Sequence, residues 1–137
     1  MPFYRLFYHI VWATKYREPL ITSEFEADLH SIIASKAKDL GAIVHAVGGI
    51  EDHIHLVATV PPALALADFI GQVKGHSSHF VNHQCGLSYH FQWQNEYGVV
   101  SFGSKQLNHV VQYAHNQPQH HQNNSTIAYL EKMTDTD

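Results

Sequence analysis

Two histidines, His53 and His55, stand two residues apart in the run GGIEDHIHLVATV at residues 48–60. Ile54, Leu56, Ala58 and Val60 alternate with His53, His55, Val57 and Thr59. A period of two predicts a strand with one buried face and one more open face. Both imidazoles then leave the same face, with Cβ atoms about 7 Å apart from strand geometry. That spacing lets both converge on one metal ion if a third ligand arrives from elsewhere. It equally suits a pair of hydrogen-bonded surface histidines. Further along, Tyr113 and Gln117 lie at i and i+4 in VVQYAHNQP, neighbours on one helical face. Tyr113 falls beside Val110 at the margin of an apolar stripe, where half-buried packing tyrosines are ordinary. Its phenol is also a nucleophile, but a pKa of about 10 makes it a weak one without activation or a strongly polarised target.

The elements that must position these groups follow from the hydrophobic pattern. Residues 3–13 are aromatic and β-branched and predict a strand buried on both faces. TKYREP is a loop closed by Pro19, and SEFE at 23–26 is a capping box, Ser23 bonding forward and Glu26 back. Phe25, Leu29, Ile32, Ile33 and Leu40 keep helical spacing until Gly41 stops the helix. AIVHAVGGI predicts a second strand, turned at Gly48-Gly49 into the histidine strand. Pro61-Pro62 opens a second helix with Leu66, Phe69, Ile70, Val73 and Phe80 inward, and Gly71 and Gly75 leave room for another backbone. A loop over 83–98 and a short strand VVSF precede Gly103-Ser104. These lead into a third helix with Leu107, Val110, Val111 and Ala114 as its apolar stripe. Polar QHHQNNST and a short helix in IAYLEKM follow Pro118. The order β-α-β-β-α-β-α predicts an α+β fold, a ferredoxin-like antiparallel sheet with an additional C-terminal helix.

At 137 residues the chain is expected to form one domain, 1–137. Hydrophobic content of 45% with 15% charged residues suits a globular core. No apolar run reaches membrane-span length, and the opening MPFYRLFYHIVW, with Arg5 and His9, reads as a strand and not a signal peptide. The single cysteine, Cys85, excludes an internal disulfide and a cysteine-rich zinc site, and a cytoplasmic protein is expected. A net charge of −4 argues against a broad basic surface for duplex nucleic acid. Local positive ground exists, since Arg5, Lys15 and Arg17 fall in the first 17 positions without an acid.

Lys15, Tyr16 and Arg17 suit contact with a nucleic-acid backbone and base stacking, or a solvated turn. Lys74, Ser77 and Ser78 suit phosphate contact or water. Glu51 and Asp52 suit orientation of a histidine through its second nitrogen, or a turn. His120-His121 reads as solvated, and Trp12 and Trp93 read as core or interface.

The combination of H-x-H with Y-x-x-N-Q resembles the single-tyrosine HUH transposases of insertion sequences that move as single-stranded DNA, and their relatives at repetitive extragenic palindromes. The resemblance runs through YHIVWATKYREPLI at 8–21, GGIEDHIHLVATVPP, FIGQVKGHSS, WQNEYGVVSFG and YAHNQPQHH at 113–121. It implies a core over about 1–102, a tyrosine helix over about 104–117 and a polar C-terminal tail over 118–137. It implies His53 and His55 as metal ligands, Gln117 as the third, Tyr113 as nucleophile, and Gly103 as a hinge before the catalytic helix. Asn116 matches the motif's asparagine and Asp52 the family's acid, although Glu51 stands where the family usually has proline.

The implied reaction is cleavage and rejoining of single-stranded DNA at hairpin-marked ends through a 5′-phosphotyrosine intermediate. Two imidazoles and an amide suit Mg²⁺ or Mn²⁺, which would orient the scissile phosphate and offset its charge. Homodimers with a tyrosine helix shared across the interface are also implied. Pro118 departs from the pattern. Proline disfavours the helical conformation in the residue before it, so the helix is expected to end at or before Gln117 and leave that side chain poorly placed for the histidines. The alternative from another class is a non-catalytic single-stranded nucleic-acid-binding module on the same fold, although no strand shows the exposed aromatic pair such modules stack on. A small metal-binding regulator is a third, and it leaves Tyr113 unexplained.

Overall fold

The computed structural model describes residues 2–134. Four strands, β1 (Phe7–Ala13), β2 (Ile43–Ile50), β3 (His53–Thr59) and β4 (Gly98–Phe102), form one sheet in the order β2-β3-β1-β4. Every neighbouring pair is antiparallel. Helices α1 (Glu26–Asp39) and α2 (Leu66–Gln84) cover one face. The other face carries α3 (Leu107–His115), α4 (Gln117–Gln122) and α5 (Ala128–Glu131). This is the expected α+β architecture, with a third layer that the pattern only partly anticipated.

Alternation along the two central strands divides the layers. Ile10 and Trp12 of β1 and Ile54, Leu56 and Ala58 of β3 join Leu29, Ile33, Phe69, Ile70 and Val73 in the main core. His9, Val11 and Ala13, with His53, His55 and Val57, project to the opposite side. The expected open face of β3 is absent, because all seven of its residues are buried. The C-terminal helices cover the histidine side.

Several local expectations change. No side-chain bond caps α1; Phe25 occupies the N-cap, and both Phe25 and Glu26 donate their amides to Thr22 O. Phe25 is itself buried edge-on against Phe91, and that packing sets the helix start in place of a Ser23–Glu26 box. Gly41 does end α1, at φ +95, in a conformation that favours glycine. The β2–β3 turn falls at Glu51-Asp52, and Gly48 and Gly49 lie within β2. Pro61 and Pro62 precede α2, which begins at Leu66. The stretch from 118 is not simply a polar tail: α4 and α5 fold back over the sheet, burying Leu130 and Met133.

Gly48 is where α3 lands. A Cβ built there would lie 1.8 Å from the Ala114 carbonyl oxygen, so hydrogen is the only side chain the contact admits. Ala46, Val57, Val110 and Ala114 close the small apolar cluster beside it. Gly48→Ala is expected to lift α3 from the sheet and destabilise the fold by about 1–3 kcal/mol, read from a denaturation midpoint. Gly71→Ala, on an open face of α2, has nothing within 4 Å of the added methyl and should stabilise by about 0.5–1 kcal/mol. Equal effects from the two substitutions would refute this account of α3 docking.

Candidate metal and nucleophile site

His53 and His55 reach the covered face together, their ring centroids 4.9 Å apart. The turn at Asp52 hands His53 a partner: its Nδ1 lies 2.7 Å from Asp52 Oδ1, an N–H donating to a carboxylate. Burial pushes the Asp52 carboxyl up, but the hydrogen bond and charge of His53, with Arg17 nearby, bring it below its ordinary value. The Nε2 of His53 therefore points inward. His55 is fully buried, with Nδ1 2.6 Å from His9 Nε2 on β1. Burial lowers the pKa of His55, and it holds that of His9 down to about 3, so both rings are neutral near pH 7.

Gln117 is also fully buried, and its Oε1 lies 3.1 Å from His53 Nε2. The expectation that Pro118 displaces this side chain is corrected. As anticipated, α3 stops at His115, but Asn116 (φ −98, ψ 22) turns the chain and α4 starts at once. Pro118 then occupies the first turn of α4, where its missing amide is no loss. The kink aims Gln117 at the histidines, and His121, one turn later, places Nε2 2.9 Å from the same amide oxygen. His121, read as solvated, is thus brought to the site.

Tyr113 is 2% exposed, its ring 5.8 Å from that of His55 and 4.6 Å from that of His120. Its hydroxyl accepts the Ile127 amide at 2.9 Å and donates a short hydrogen bond to Glu131 Oε2. Burial and the Glu131 bond push the phenol up to about 12. The other oxygen, Glu131 Oε1, lies 3.3 Å from His55 Nε2 and 3.5 Å from both His53 Nε2 and His121 Nε2. Burial raises the Glu131 carboxyl, but the neighbouring His55 imidazole and the Tyr113 hydroxyl outweigh it and hold it at about 2.

Two imidazole nitrogens, an amide oxygen and a carboxylate thus converge on one buried spot. His55 Nε2 is left there without a directed hydrogen bond, although Glu131 Oε1 lies close to it. His53, His55 and Glu131 present one donor atom each within 4.8 Å of one another. Neutral nitrogens with hard oxygens fit a divalent cation such as Mg²⁺ or Mn²⁺.

Over residues 2–117 the chain matches the family model described as transposase IS200 like. The chain belongs to that family. A relative from Deinococcus radiodurans, the ISDra2 transposase TnpA, is 33% identical over 75 residues, covering 55% of this chain and 54% of the relative. The IS200 transposase of Salmonella typhimurium is 32% identical over 79 residues, covering 58% and 52%. The matches to these curated relatives thus span about half of their length. A crystal structure of a Deinococcus radiodurans protein assigned as a transposase superposes with a TM-score of 0.68 at 27% identity, covering 85% of this chain and 93% of that one. The structure of a REP-associated tyrosine transposase bound to a REP hairpin superposes with a TM-score of 0.64 at 19% identity, covering 88% and 74%, and shares the fold. Glu131 lies beyond the stretch that matches the family model.

The remaining expected residues divide. Lys15, Tyr16 and Arg17 form a tight turn hung beside the site, since Thr14 donates its amide to Asp52 O; Tyr16 is 81% exposed with Lys15 over its ring. Ser77 is corrected to a core residue, while Lys74 stays half-buried at the surface. Lys74 Nζ donates to the Gln94 and Glu96 carbonyls, and Ser77, wholly buried on α2, accepts the Trp93 indole N–H. Ser78 donates to Gly75 O on the same helix. Trp12 and Trp93 pack edge-on in the core, as expected. Asn116 contributes its backbone to the kink, and Gly103 has ordinary extended torsions before a short helical turn.

Sequence reasoning missed His9 and Glu131. A histidine in a strand expected to be buried on both faces requires a partner, and that signal was available for His9. Ile127, Leu130 and Met133, three apart, marked an anchored segment; which acid it carried to the site was not deducible.

Gly98 admits that segment, since a Cβ there would sit 1.8 Å from Lys132 O. Gly98→Ala is expected to lift residues 127–133 and withdraw Glu131 from Tyr113. The Ile127 amide, which the phenol accepts, should then exchange hydrogen about tenfold faster or more, a loss of about 1.4 kcal/mol of local protection. Unchanged exchange would refute the anchoring role of Gly98.

Proposed function

We propose that this chain is a tyrosine-dependent, metal-assisted transposase that cleaves and rejoins single-stranded DNA at hairpin-marked ends. One observation carries the reading: the Glu131 carboxylate spans the Tyr113 hydroxyl and the two histidine Nε2 atoms, as a phosphate would between nucleophile and metal. Two anionic oxygens already fit there. A divalent ion, Mg²⁺ or Mn²⁺, held by His53, His55 and Gln117 would offset charge on the phosphate oxygens.

The chain's own residues do the rest. Asp52 holds His53 through Nδ1 and leaves Nε2 for coordination. The kink at Asn116 presents Gln117. Tyr113 supplies the attacking oxygen: its phenol proton is released to water, the new bond joins its oxygen to phosphorus, the bond from phosphorus to the 3′-oxygen breaks, and the departing oxygen takes up a proton. The phosphodiester energy is retained in the phosphotyrosine, so the reverse attack rejoins strands without ATP. A phenol pushed up to about 12 is a protonated, resting nucleophile, and Glu131 must leave before DNA reaches it. In this reading Lys15, Tyr16 and Arg17, beside Asp52, receive the strand. Gly103 supplies the pivot for α3. The homodimer belongs to this proposal too, although within one chain Tyr113 already meets its own histidines. A non-catalytic binding module would leave the buried phenol, histidines and carboxylate without a role.

The test is incubation of the protein with Mn²⁺ and single-stranded DNA from either end of its own locus, with the covalent adduct read on a denaturing gel. Wild type should form the adduct and Tyr113→Phe none, while the substitution costs about 1–2 kcal/mol of stability through the two lost hydrogen bonds. Adduct formation by Tyr113→Phe would remove Tyr113 as nucleophile, and its absence in wild type would sink the reading.

The carboxylate makes a separate prediction. Glu131→Gln keeps the shape but loses the charge that competes with phosphate, so adduct should form about tenfold faster or more. A slower reaction would mean that Glu131 assists the chemistry and does not block it.

A further inference from the structure

The arrangement above gives one buried group no task. His9 lies on the central strand, 1% exposed, with Val57 and Val100 as its partners across the neighbouring strands. A valine there would pack without desolvating a ring. Instead His9 Nε2 meets His55 Nδ1 at 2.6 Å, the two rings 4.8 Å apart and inclined by 47°.

Two imidazole nitrogens at that distance share one proton, one as N–H and the other as a lone pair. The choice decides what His55 offers the site. With the proton on His55 Nδ1, its Nε2 is bare and can coordinate a cation. With the proton on His9 Nε2, neutral His55 carries its own proton on Nε2 and can only donate, toward Glu131 Oε1 at 3.3 Å.

We propose that His9 is the positioning residue that sets the His55 tautomer, accepting from Nδ1–H so that Nε2 faces the cation bare. The proposal rests on the reading of His53 and His55 as a metal pair. Its logic differs from that of Asp52, which as a carboxylate can only accept and therefore fixes His53 as a ligand. An imidazole can accept or donate at the same atom. His9 thus serves both states of the site: it donates while His55 Nε2–H faces Glu131, and accepts once a cation replaces that contact. The exchange balances in protons. One leaves His55 Nε2, one moves from His9 Nε2 to His55 Nδ1, and one is taken up at His9 Nδ1, so both rings stay neutral.

The experiment titrates full-length wild type, His9→Leu, His9→Gln and His53→Ala with Mn²⁺ by electron paramagnetic resonance, and reads the His55 tautomer by ¹⁵N chemical shift with and without Mg²⁺. His9→Leu should weaken Mn²⁺ binding about 10- to 100-fold, as loss of a ligand's orienting partner does. His9→Gln, whose amide oxygen can accept from Nδ1–H, should recover most of it. Mg²⁺-loaded wild type should show His55 protonated at Nδ1. Wild-type affinity in His9→Leu, or a His55 protonated at Nε2 in the loaded protein, would overturn the proposal. A wild type that binds no more Mn²⁺ than His53→Ala would instead overturn the metal reading beneath it. Should His9→Leu fail to fold, the tautomer measured in wild type decides.

Discussion

The antiparallel pairing of β3 with β1 at the centre of the sheet is the constraint on which the site depends. Its register sets His53 opposite Ala13 and His55 opposite Val11. Side chains alternate with period two, so a slip of one residue would send both histidines into the α1–α2 core and Ile54 and Leu56 into the site. The apolar cost of that slip makes the register strongly specified. The same pairing brings His9 diagonally to His55 and hangs the Lys15–Arg17 turn beside Asp52. Ligand pair, orienting partners and basic loop all follow from one ladder of hydrogen bonds.

Burying so much polar chemistry on a sheet face carries a penalty, and the third layer shows how it is met. Each buried polar atom needs a partner or leaves a desolvation cost of about 1–3 kcal/mol. Asp52 answers His53, His9 answers one side of His55, and Gln117 accepts from His121 and donates to the Tyr113 carbonyl. The inward-facing Nε2 atoms meet acceptor oxygens, of Gln117 and Glu131, which leave a bare lone pair unanswered and repel further anions. A site finished in this way favours exchange: a cation satisfies lone pairs that a carboxylate cannot. The two glycines that admit α3 and the C-terminal segment, Gly48 and Gly98, put the nucleophile and its cover on separate supports.

The break at Asn116 shows how a local rule and a tertiary result can diverge. Proline at 118 ends α3 as backbone sterics require, yet the chain restarts as α4 with Gln117 buried at its first position. A straight helix would carry Gln117 one turn beyond Tyr113 on the same axis. The kinked pair instead turns the amide toward His53 and brings His121 beside it.

The sequence by itself determined the element order, the sheet and the two-residue spacing that puts both histidines on one face, because alternation and helical periodicity are local properties of the chain. It also marked Tyr113 and Gln117 as neighbours, since i and i+4 meet on any helix. Capping at Ser23, the Gly48-Gly49 turn and the exposure of Ser77 were misread because core packing outweighed a local preference: Phe25 fixed the helix start, and Trp93 claimed Ser77. The partners of the site were decided only by tertiary structure. His9 lies 46 residues from His55, and Glu131 lies 18 from Tyr113 across a chain reversal. No periodicity links such positions; sheet register and the docking of a short apolar segment do.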